Sequence, residues 1–413
     1  MPISVEEHLA TLLALVAPLG AEEVPVGKAL GRGLATDVIA LADVPPFDTS
    51  AMDGFAVHAA DATAGAVLPV VADLPAAPGE VAALPPGSAA RIMTGAPVPA
   101  GADAVVMVED TDQAAGPATL PTHVRVNRAP ADGANVRRRG EDVMAGTPVL
   151  AAGTVLTAAA LASAISVGHG TLEVHRNPRV AVLSTGSELV APGVAAGPGQ
   201  IPDSNGTLLA ALARAAGHEV THTERVPDDV AALREALARA ADAADLVVTS
   251  GGVSAGAYDV VKEATAGIGF AYSKVAMQPG KPQGHGLLTA GGRRVPVLAL
   301  PGNPVSVFVS FHLFVRPVLD ALAGRTVARG LLAARAGSGW SSPAGRRQYI
   351  PVHLSAPTDL ADPVPVARPT HRLGSASHLV ASLHRANAIA IVPEDRTAVE
   401  EGELLPVMLV EGF

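Results

Sequence analysis

The sequence predicts a multidomain α/β protein built around a central, doubly wound and mostly parallel sheet. Between residues 177 and 326, continuous apolar runs such as PRVAVLST and DLVVTSGG alternate with amphipathic runs such as PDDVAALREALARAAD. Strands that alternate with helices of this length form parallel sheets with both faces covered. The 413 residues and the 49% hydrophobic content allow several cores, so two to four domains are expected.

The elements of this central region follow from local signals. Asp203 or Ser204 can cap the first helix, and Pro304 near the start of the last helix loses no hydrogen bond there. The predicted strands are PRVAVLST, EVTHTERV, DLVVTSGG and RRVPVLAL, and the predicted helices are DSNGTLLAALARAAG, PDDVAALREALARAAD, YDVVKEATA and PVSVFVSFHLFVRPVLDAL.

The flanking regions have other patterns. Residues 1–17 and 154–167 are predicted helices, whereas glycine, proline and short alternating runs between them predict β-structure with long connections. The C-terminal region predicts a small β domain with little helix. We therefore predict four domains: a helical and linker domain of residues 1–40 and 141–176, a β-rich domain of residues 41–140, the α/β domain of residues 177–326, and a C-terminal β domain of residues 327–413.

Composition excludes several classes of function. The chain has no cysteine, which removes disulfides, thiolate zinc sites and cysteine nucleophiles. A net charge of -10 without a basic tail argues against nucleic-acid binding. The N-terminus has acids before its apolar stretch and predicts a helix rather than a signal peptide. No uninterrupted apolar run approaches the roughly 18 residues of a membrane helix, so we expect a soluble cytoplasmic protein that does not bind membranes.

Three motifs leave predicted strands at their carboxyl ends, where open α/β sheets bind ligands. They are STGSEL (184–189), SGGVSAG (250–256) and LPGNPVS (300–306). Helix N-termini and glycine-rich loops supply N–H donors to anions, although such turns also serve packing alone. The candidate binding residues in these motifs are the small or hydroxyl-bearing Ser250, Gly251, Gly252, Ser254, Gly256 and Ser306.

Acidic residues accompany the same turns, and helix capping is the alternative role for two of them, Asp203 and Asp228. Carboxylates that face an anion would repel it unless a cation bridged them, and Mg²⁺ takes one or two carboxylates together with phosphate oxygens. The acids are Glu188, Asp203, Asp228, Asp229 and Asp259. The thirteen histidines form no obvious metal-binding pair. The crevice therefore predicts Mg²⁺ more readily than zinc.

Lysines cluster close to these motifs. Only four of the 29 basic residues are lysine, and Lys262, Lys274 and Lys281 fall within one short stretch. A compact charge on the segment SKVAMQPGKPQGHG could close over an anion. A surface loop stiffened by prolines is the alternative.

Other motifs carry no chemistry that their residues reveal. Ser50, Asp53 and Thr94 lie in PPFDTSAMDGFAV and RIMTGAPVPAGADAVV, where tight turns explain most residues. RRRGEDV (137–143) predicts a salt-bridged surface or an anion contact.

Taken together and in this order, PPFDTSAMDGFAV, RIMTGAPVPAGADAVV, RRRGEDV, STGSEL, SGGVSAGAYD, MQPGKPQGHG and LPGNPVSV resemble molybdopterin molybdenumtransferase, called MoeA in bacteria and related to the E domain of gephyrin. The resemblance covers nearly the whole chain. It implies an elongated four-domain subunit in a homodimer, with a molybdopterin-binding α/β domain. It also implies insertion of molybdate into adenylylated molybdopterin, with Mg²⁺-dependent release of AMP, in a cleft that both subunits share.

The resemblance also assigns residues. It implies catalytic roles for Asp53, Thr94, Glu188, Asp228 and Asp259, with Glu188 and Asp259 holding the metal. It implies substrate binding by Lys274, Lys281, Pro301, Pro304, Arg346 and Ser377, besides the motif residues above. Many relatives have lysine where this chain has Gln278, which keeps a hydrogen bond and loses a charge. Lys281 is then expected to carry more of the molybdate binding.

Two alternatives remain at this level. An enzyme that adenylylates molybdopterin would share the central fold, but the extra domains at both ends argue against it. A non-catalytic, gephyrin-like scaffold would bind a partner's peptide, which gives the crevice acids and lysines no role. For the enzyme, the implied partners are the molybdopterin-adenylating enzyme and acceptors of the finished cofactor.

Overall fold

The computed structural model of the protein describes residues 2–253, 260–328, 330–357, 362–374 and 376–410. The helices and strands up to residue 175 are, in chain order, α1 (Val5–Leu13), β1 (Ala21–Pro25), β2 (Val38–Ile39), β3 (Thr49–Ser50), β4 (Gly54–Val57), β5 (Val67–Leu74), β6 (Ala89–Ile92), β7 (Ala104–Met107), β8 (His123–Arg125), β9 (Val136–Arg137), β10 (Pro148–Leu150), α2 (Ala158–Ser166) and β11 (Thr171–His175).

Helix α1 begins with a capping box and packs onto the central domain. The Ser4 hydroxyl accepts from the Glu7 N–H at 3.0 Å, and the Glu7 carboxylate accepts from the Ser4 N–H at 2.7 Å. Val5 and Leu12, on one face of the helix, are buried in the core of the central domain. The predicted N-terminal helix is therefore present and joins two parts of the fold.

Two segments that are distant in sequence share the next core. Strands β1 and β11 pair antiparallel, as do β2 and β10. Leu34 and Val38 pack with Leu156 and Val174 in one buried cluster. Between these segments lies a five-stranded sheet in the order β7-β4-β6-β5-β8, which is the β-rich region that the sequence predicts.

The central region contains the mixed sheet that positions the site. Its elements are β12 (Arg179–Thr185), β13 (Leu189–Val190), β14 (Ile201–Pro202), α3 (Ser204–Ala215), β15 (Glu219–Val226), α4 (Val230–Ala243), β16 (Leu246–Ser250), α5 (Val260–Ala264), β17 (Ala271–Lys274), β18 (Met277–Gln278), β19 (Pro282–Ala290), β20 (Arg293–Leu300), α6 (Pro304–Ser310) and α7 (Arg316–Leu322). The sheet order is β15-β12-β16-β20-β19-β17. The first four strands are parallel, as predicted, and β19 and β17 add an antiparallel edge.

Alternating side chains of the parallel strands enter two different cores. Val180 and Val182 of β12 pack in one cluster with Leu209 of α3 and Phe308 of α6. Leu183 packs in the other cluster with Leu233 of α4. Successive residues of a strand point to opposite faces, so a continuous apolar run is what a sheet covered on both faces requires. The prediction of a doubly wound sheet is confirmed.

The segment SKVAMQPGKPQGHG differs from its prediction as a closing loop. It forms the end of β17, all of β18 and the start of β19. Its prolines and glycines obscure the strand pattern because Pro279 and Pro282 interrupt the apolar alternation.

A helical segment, Pro304–Leu322, spans α6, a π-helical turn at Phe311–Val315 and α7. It is long and apolar enough by composition to cross a membrane, but most of it is buried within the fold. Phe311, Phe314 and Leu319 pack there in the central core. The segment is thus a core helix.

The C-terminal region is a small β barrel, in agreement with its prediction as a β domain. Its strands are β21 (Leu332–Ala336), β22 (Trp340–Ser341), β23 (Arg347–Ser355), β24 (Val366–Pro369), β25 (Ala388–Val392), β26 (Ala398–Val399) and β27 (Leu404–Leu409). The order β23-β24-β21-β27-β25 closes because β25 also pairs with β23. Strand β18 of the central region adds to this sheet by pairing in parallel with β23. The barrel is therefore attached to the central domain through backbone hydrogen bonds.

Candidate active site

A cleft of about 870 Å³ lies at the carboxyl ends of the parallel strands. Thr185 and Ser250 end two of these strands, and Asp228 and Pro301 follow the other two. Ser377 and His378 of the C-terminal region form part of the same wall. The three strand-end motifs predicted from the sequence therefore meet at one place, which is where open α/β sheets bind their ligands.

Two glycine turns pack directly against each other at the floor of the cleft. Gly251 has φ +96, and a Cβ added to it would lie 2.5 Å from the Thr185 carbonyl oxygen. A Cβ on Gly302 would lie 3.3 Å from the Gly251 Cα atom. The Gly251 N–H donates to the Leu300 carbonyl at 3.1 Å. Larger side chains would separate the two turns, so glycine lets a ligand approach the backbone.

Some of the acids near the cleft cap a helix, and others do not. Asp203 caps α3 by accepting from the Gly206 N–H at 2.9 Å, so the alternative of a capping role holds for it. It does not hold for Asp228, because Asp229 occupies the cap of α4. Asp228 instead accepts from the Ser187 N–H at 3.0 Å and donates its own N–H to the Ser187 hydroxyl at 2.9 Å. Asp228 is thereby fixed beside the STGSEL turn.

Glu188 completes the acidic side of the cleft. It follows the turn at Gly186 and lines the cleft together with Asp228. Asp259, another of the predicted acids, lies outside the described residues, as do Ser254 and Gly256.

The predicted cations lie in different places. Lys281 lines the cleft, next to Gly280 in the turn before β19. Lys274 is exposed at the end of the edge strand β17 and is not among the residues that line the cleft. Arg346 donates from Nη1 to Oε1 of Gln278 at 2.9 Å, and Gln278 lines the cleft. The cationic side therefore comprises Lys281 and, one hydrogen bond away, Arg346.

Hydroxyl and amide groups complete the lining. Ser306 and Ser250 line the cleft, and the buried Ser250 Oγ has no hydrogen-bond partner among the described residues. Asn303 donates from Nδ2 to the Ser377 Oγ at 2.9 Å and so joins the LPGNP turn to the C-terminal region.

Sequence reasoning missed two amides of this site. Asn205 donates from Nδ2 to the Gly302 carbonyl at 2.6 Å, which ties the start of α3 to the LPGNP turn. Asn303 bridges to Ser377 as described above. Asn205 lies at a predicted helix start and Asn303 in a predicted strand-end motif, and only the tertiary structure shows that they bridge separate elements.

Asp53 and Thr94 form a pair of their own, away from this lining. The Asp53 Oδ1 accepts from both the N–H and the hydroxyl of Thr94, each at 2.7 Å. These two bonds hold the pKa of the Asp53 carboxyl below its ordinary value. Both residues are exposed, and neither lines the cleft of its own chain.

The RRRGEDV motif favours the salt-bridged surface over an anion contact. Arg138 pairs with Asp48 at 2.7 Å, and Arg139 pairs with Asp43. Both arginines are exposed. Such pairs contribute little to stability but occupy the charges of these two arginines.

The donor set of the cleft is compatible with Mg²⁺. Within the described ranges, no group of three or more His, Cys, Asp or Glu side chains could form a protein cage for a metal. Mg²⁺ does not need such a cage, because it binds through one or two carboxylates plus phosphate oxygens and water. Glu188 and Asp228, both on the cleft wall, provide carboxylates of this kind.

The fold and the cleft define a multidomain α/β protein with a glycine-lined cleft where its central sheet meets a C-terminal barrel. Three family models match the chain: "MoeA N-terminal region (domain I and II)" at residues 3–168, "Probable molybdopterin binding domain" at 181–321, and "MoeA C-terminal region (domain IV)" at 333–410. The chain belongs to the molybdopterin molybdenumtransferase (MoeA) family.

Relatives agree over almost the full length. Molybdopterin molybdenumtransferase 2 of Mycobacterium tuberculosis is 42% identical over 429 residues, covering 98% of each chain. Molybdopterin molybdenumtransferase of a Nostoc species is 36% identical, covering 97% of this chain and 92% of the relative. The crystal structure of the molybdopterin biosynthesis MoeA protein from Pyrococcus horikoshii matches with a TM-score of 0.83 and 28% identity, over 99% of this chain and 100% of that one.

Proposed function

We propose that this protein inserts molybdate into adenylylated molybdopterin and releases AMP, which yields the molybdenum cofactor. The observation that carries the proposal is the cleft itself, in a chain that belongs to this transferase family. Its glycine-lined floor suits a phosphorylated ligand, and its two sides carry carboxylates and cations. Full-length relatives with this name favour the transferase over the adenylylating enzyme and the scaffold.

Different residues of the cleft bind different parts of the substrates in this proposal. The Gly252 N–H, in the turn where the Gly251 N–H is already bonded to Leu300, holds the phosphate groups, assisted by Ser250 and Ser306. Lys281 and Arg346 hold molybdate, a dianion, and Ser377 supports it from the C-terminal barrel. Pro301 and Pro304 shape the turn beneath the ligand. Lys274, which is exposed outside the cleft, contributes only if the adenylyl end extends that far.

Molybdate is the attacking oxyanion in this proposal. Its oxygen attacks the adenylyl phosphorus and the P–O bond to the molybdopterin phosphate breaks, which gives adenylyl molybdate and free molybdopterin. The dithiolene sulfurs of molybdopterin then bind molybdenum as the Mo–O bond to the adenylyl group breaks, and AMP leaves with that oxygen, without a covalent enzyme intermediate. Glu188 and Asp259 are the proposed magnesium ligands, with Asp228 fixed beside Glu188. Bound Mg²⁺ would offset negative charge on the phosphoanhydride.

We further propose that the protein is a cytoplasmic homodimer in which the two subunits share each active site. The support is the Asp53–Thr94 pair, which is ordered by two hydrogen bonds yet does not line its own cleft. In a dimer the pair would complete the cleft of the other subunit. The molybdopterin-adenylating enzyme would then deliver the substrate, and apoenzymes that need molybdenum would accept the product.

The test is AMP release from adenylylated molybdopterin with and without molybdate. We expect AMP release to require both molybdate and Mg²⁺, and Asp259→Ala to abolish it without unfolding the protein. Release of pyrophosphate from ATP and molybdopterin would favour the adenylylating enzyme. An unaffected rate in Asp259→Ala would favour the scaffold, and adenylylated protein trapped in a single turnover would contradict direct attack by molybdate.

A further inference from the structure

Gln278 lies at the boundary between the central domain and the C-terminal barrel. It is one of the two residues of β18, and its main chain pairs with Gln348 of β23. Its side chain lines the cleft, and its Oε1 accepts from the Arg346 Nη1 at 2.9 Å. The two domains are thus joined at this residue by both backbone and side chain.

Arg346 and its neighbour Arg347 have opposite electrostatic surroundings. The Arg347 guanidinium is paired with Glu6 and with Glu394, and these two hydrogen-bonded carboxylates raise its pKa against the opposing effect of burial. Arg346 has no carboxylate within ion-pair distance among the residues that the structure describes, and the amide of Gln278 is the side chain it bonds. Its charge is therefore oriented without being neutralised.

A neutral acceptor is the group that can do this. An arginine side chain has many rotamers, and a fixed hydrogen bond selects one of its geometries before any ligand arrives. A glutamate at the same place would orient the guanidinium equally well but would cancel its charge. Glutamine leaves four of the five N–H donors and the full positive charge for a ligand.

We propose that Gln278 is a positioning residue that holds the Arg346 guanidinium at the cleft as a binding group for the oxyanion substrate. The inference rests on the proposed function for the identity of that substrate, molybdate. Lys281 follows Gln278 by three residues and lines the same cleft, so the oxyanion lies between a cation of the central domain and one of the barrel.

The experiment compares four variants with the wild type: Gln278→Met, which keeps the length and removes the acceptor, Gln278→Glu, Arg346→Ala, and the double variant Gln278→Met with Arg346→Ala. Gln113→Met is the matched control, since Gln113 bonds Asp112 at 2.9 Å in the β-rich region. The readouts are the Kd of molybdate by calorimetry, the KM values of both substrates in AMP release, and Tm.

We expect Gln278→Met to weaken molybdate binding about 3- to 10-fold and Arg346→Ala about 10- to 30-fold, as lost hydrogen bonds to a charged ligand predict. Gln278→Glu should weaken it as much as Arg346→Ala. The double variant should match Arg346→Ala within about 2-fold, because the amide acts only through the guanidinium. The KM of adenylylated molybdopterin and the control should change less than about 2-fold.

An unchanged Kd and KM of molybdate in Gln278→Met would overturn the inference, as would effects of the two substitutions that multiply in the double variant. Equal changes in the KM values of both substrates, together with a lower Tm, would also overturn it, because a purely structural role predicts them. Calorimetry separates this inference from the proposed function. If the variants lose molybdate binding in the coupled way described but the wild type releases no AMP, only the proposed function would be refuted. Molybdate-dependent AMP release with unchanged binding in the variants would refute only the role of Gln278.

Discussion

The cleft of the central domain and the Asp53–Thr94 pair differ in how complete they are within one chain. The cleft gathers Glu188, Asp228 and Lys281 from three separate turns at one edge of the molecule. The pair is ordered by two hydrogen bonds but stays exposed. A parallel sheet collects residues at its own carboxyl edge, whereas a residue elsewhere acts only when a second surface meets it. We therefore expect activity to return when an inactive variant of the cleft is mixed with an inactive variant of the pair, but not when two cleft variants are mixed.

The largest expected effect comes from Asp228→Ala and Asp53→Ala. Each should lower AMP release at least about 100-fold, as loss of groups that act in the transition state does. In the proposed homodimer, subunit exchange between the two inactive proteins makes half of the dimers mixed, and each mixed dimer carries one intact site. About a quarter of wild-type activity should return.

Mixing Asp228→Ala with Glu188→Ala is the control. Both residues line the cleft of the same chain, so every cleft in the mixed dimer stays damaged and activity should not return. Recovery in the control, or none for the Asp53 pair after verified exchange, would contradict a shared site.

The next effect concerns the floor of the cleft. Gly251→Ala would place a Cβ 2.5 Å from the Thr185 carbonyl oxygen at φ +96, so we expect a loss of about 2–4 kcal/mol in the free energy of unfolding. Gly267→Ala is matched, because Gly267 has φ +80 and no atom within 4 Å of its added Cβ. It should cost about 1 kcal/mol in urea unfolding. Equal losses in both variants would show that the close approach at Gly251 is unimportant.

The central domain, with helix α1 packed on it, should also differ from the β-rich region in acid sensitivity. Burial, with the neighbouring His285, lowers the pKa of His8 to about 4, and burial, with Arg325 and Arg316, lowers the pKa of His218 to about 3. Between those values and about 6.5 the unfolded chain binds more protons than the folded one, so stability falls as pH falls. Each histidine should lower the free energy of unfolding by about 1–3 kcal/mol between pH 7 and pH 4.

Carboxylates of the β-rich region respond at lower pH. Hydrogen bonds and ion pairs keep the pKa values of Asp48, Asp53 and Asp73 below their ordinary range, so their contribution is lost only below about pH 4. When Tm is measured by thermal unfolding from pH 8 to pH 4, it should fall less with decreasing pH in His8→Phe than in the wild type. The exposed His123→Gln is the control and should keep the wild-type slope; an unchanged slope in His8→Phe would contradict the assignment.

The smallest effect is expected from Thr94→Val. Valine keeps the N–H that bonds Asp53 and removes only the hydroxyl, so the pKa of Asp53 should rise toward its ordinary value. Activity should fall only a few-fold, consistent with one lost hydrogen bond to a charged group. Titration of Asp53 by NMR and the rate of AMP release measure the two effects, and Thr94→Ser should restore both. A loss as large as that of Asp53→Ala would instead give the Thr94 hydroxyl a direct part in the reaction.

The parallel half of the sheet could be predicted from the sequence because each strand signals itself. PRVAVLST and DLVVTSGG are apolar without interruption, and their glycine turns place Glu188 and Gly251 at a known edge of the fold. Strands β17, β18 and β19 were not predicted, because Pro279 and Pro282 interrupt the apolar pattern of the segment that contains them. The position of Lys274 outside the cleft depends on those strands and could not be foreseen either.

Side-chain hydrogen bonds between distant parts of the chain could not be predicted for a different reason. Nothing near Gln278 indicates Arg346, which is 68 residues away, and nothing near Asn303 indicates Ser377. Asp53 and Thr94 entered only through the family resemblance, since their own neighbourhood predicts turns. The roles of these residues remain predictions.

The pairing of β18 with β23 restricts how the molecule can exchange its ligands. A barrel that belongs to the same hydrogen-bonded ladder as the cleft wall cannot swing away as a lid while that ladder holds. The barrel side of the cleft is then held next to Gln278 by main-chain bonds. Substitutions on the barrel surface would leave those bonds intact, because main-chain bonds do not depend on the side chains they carry.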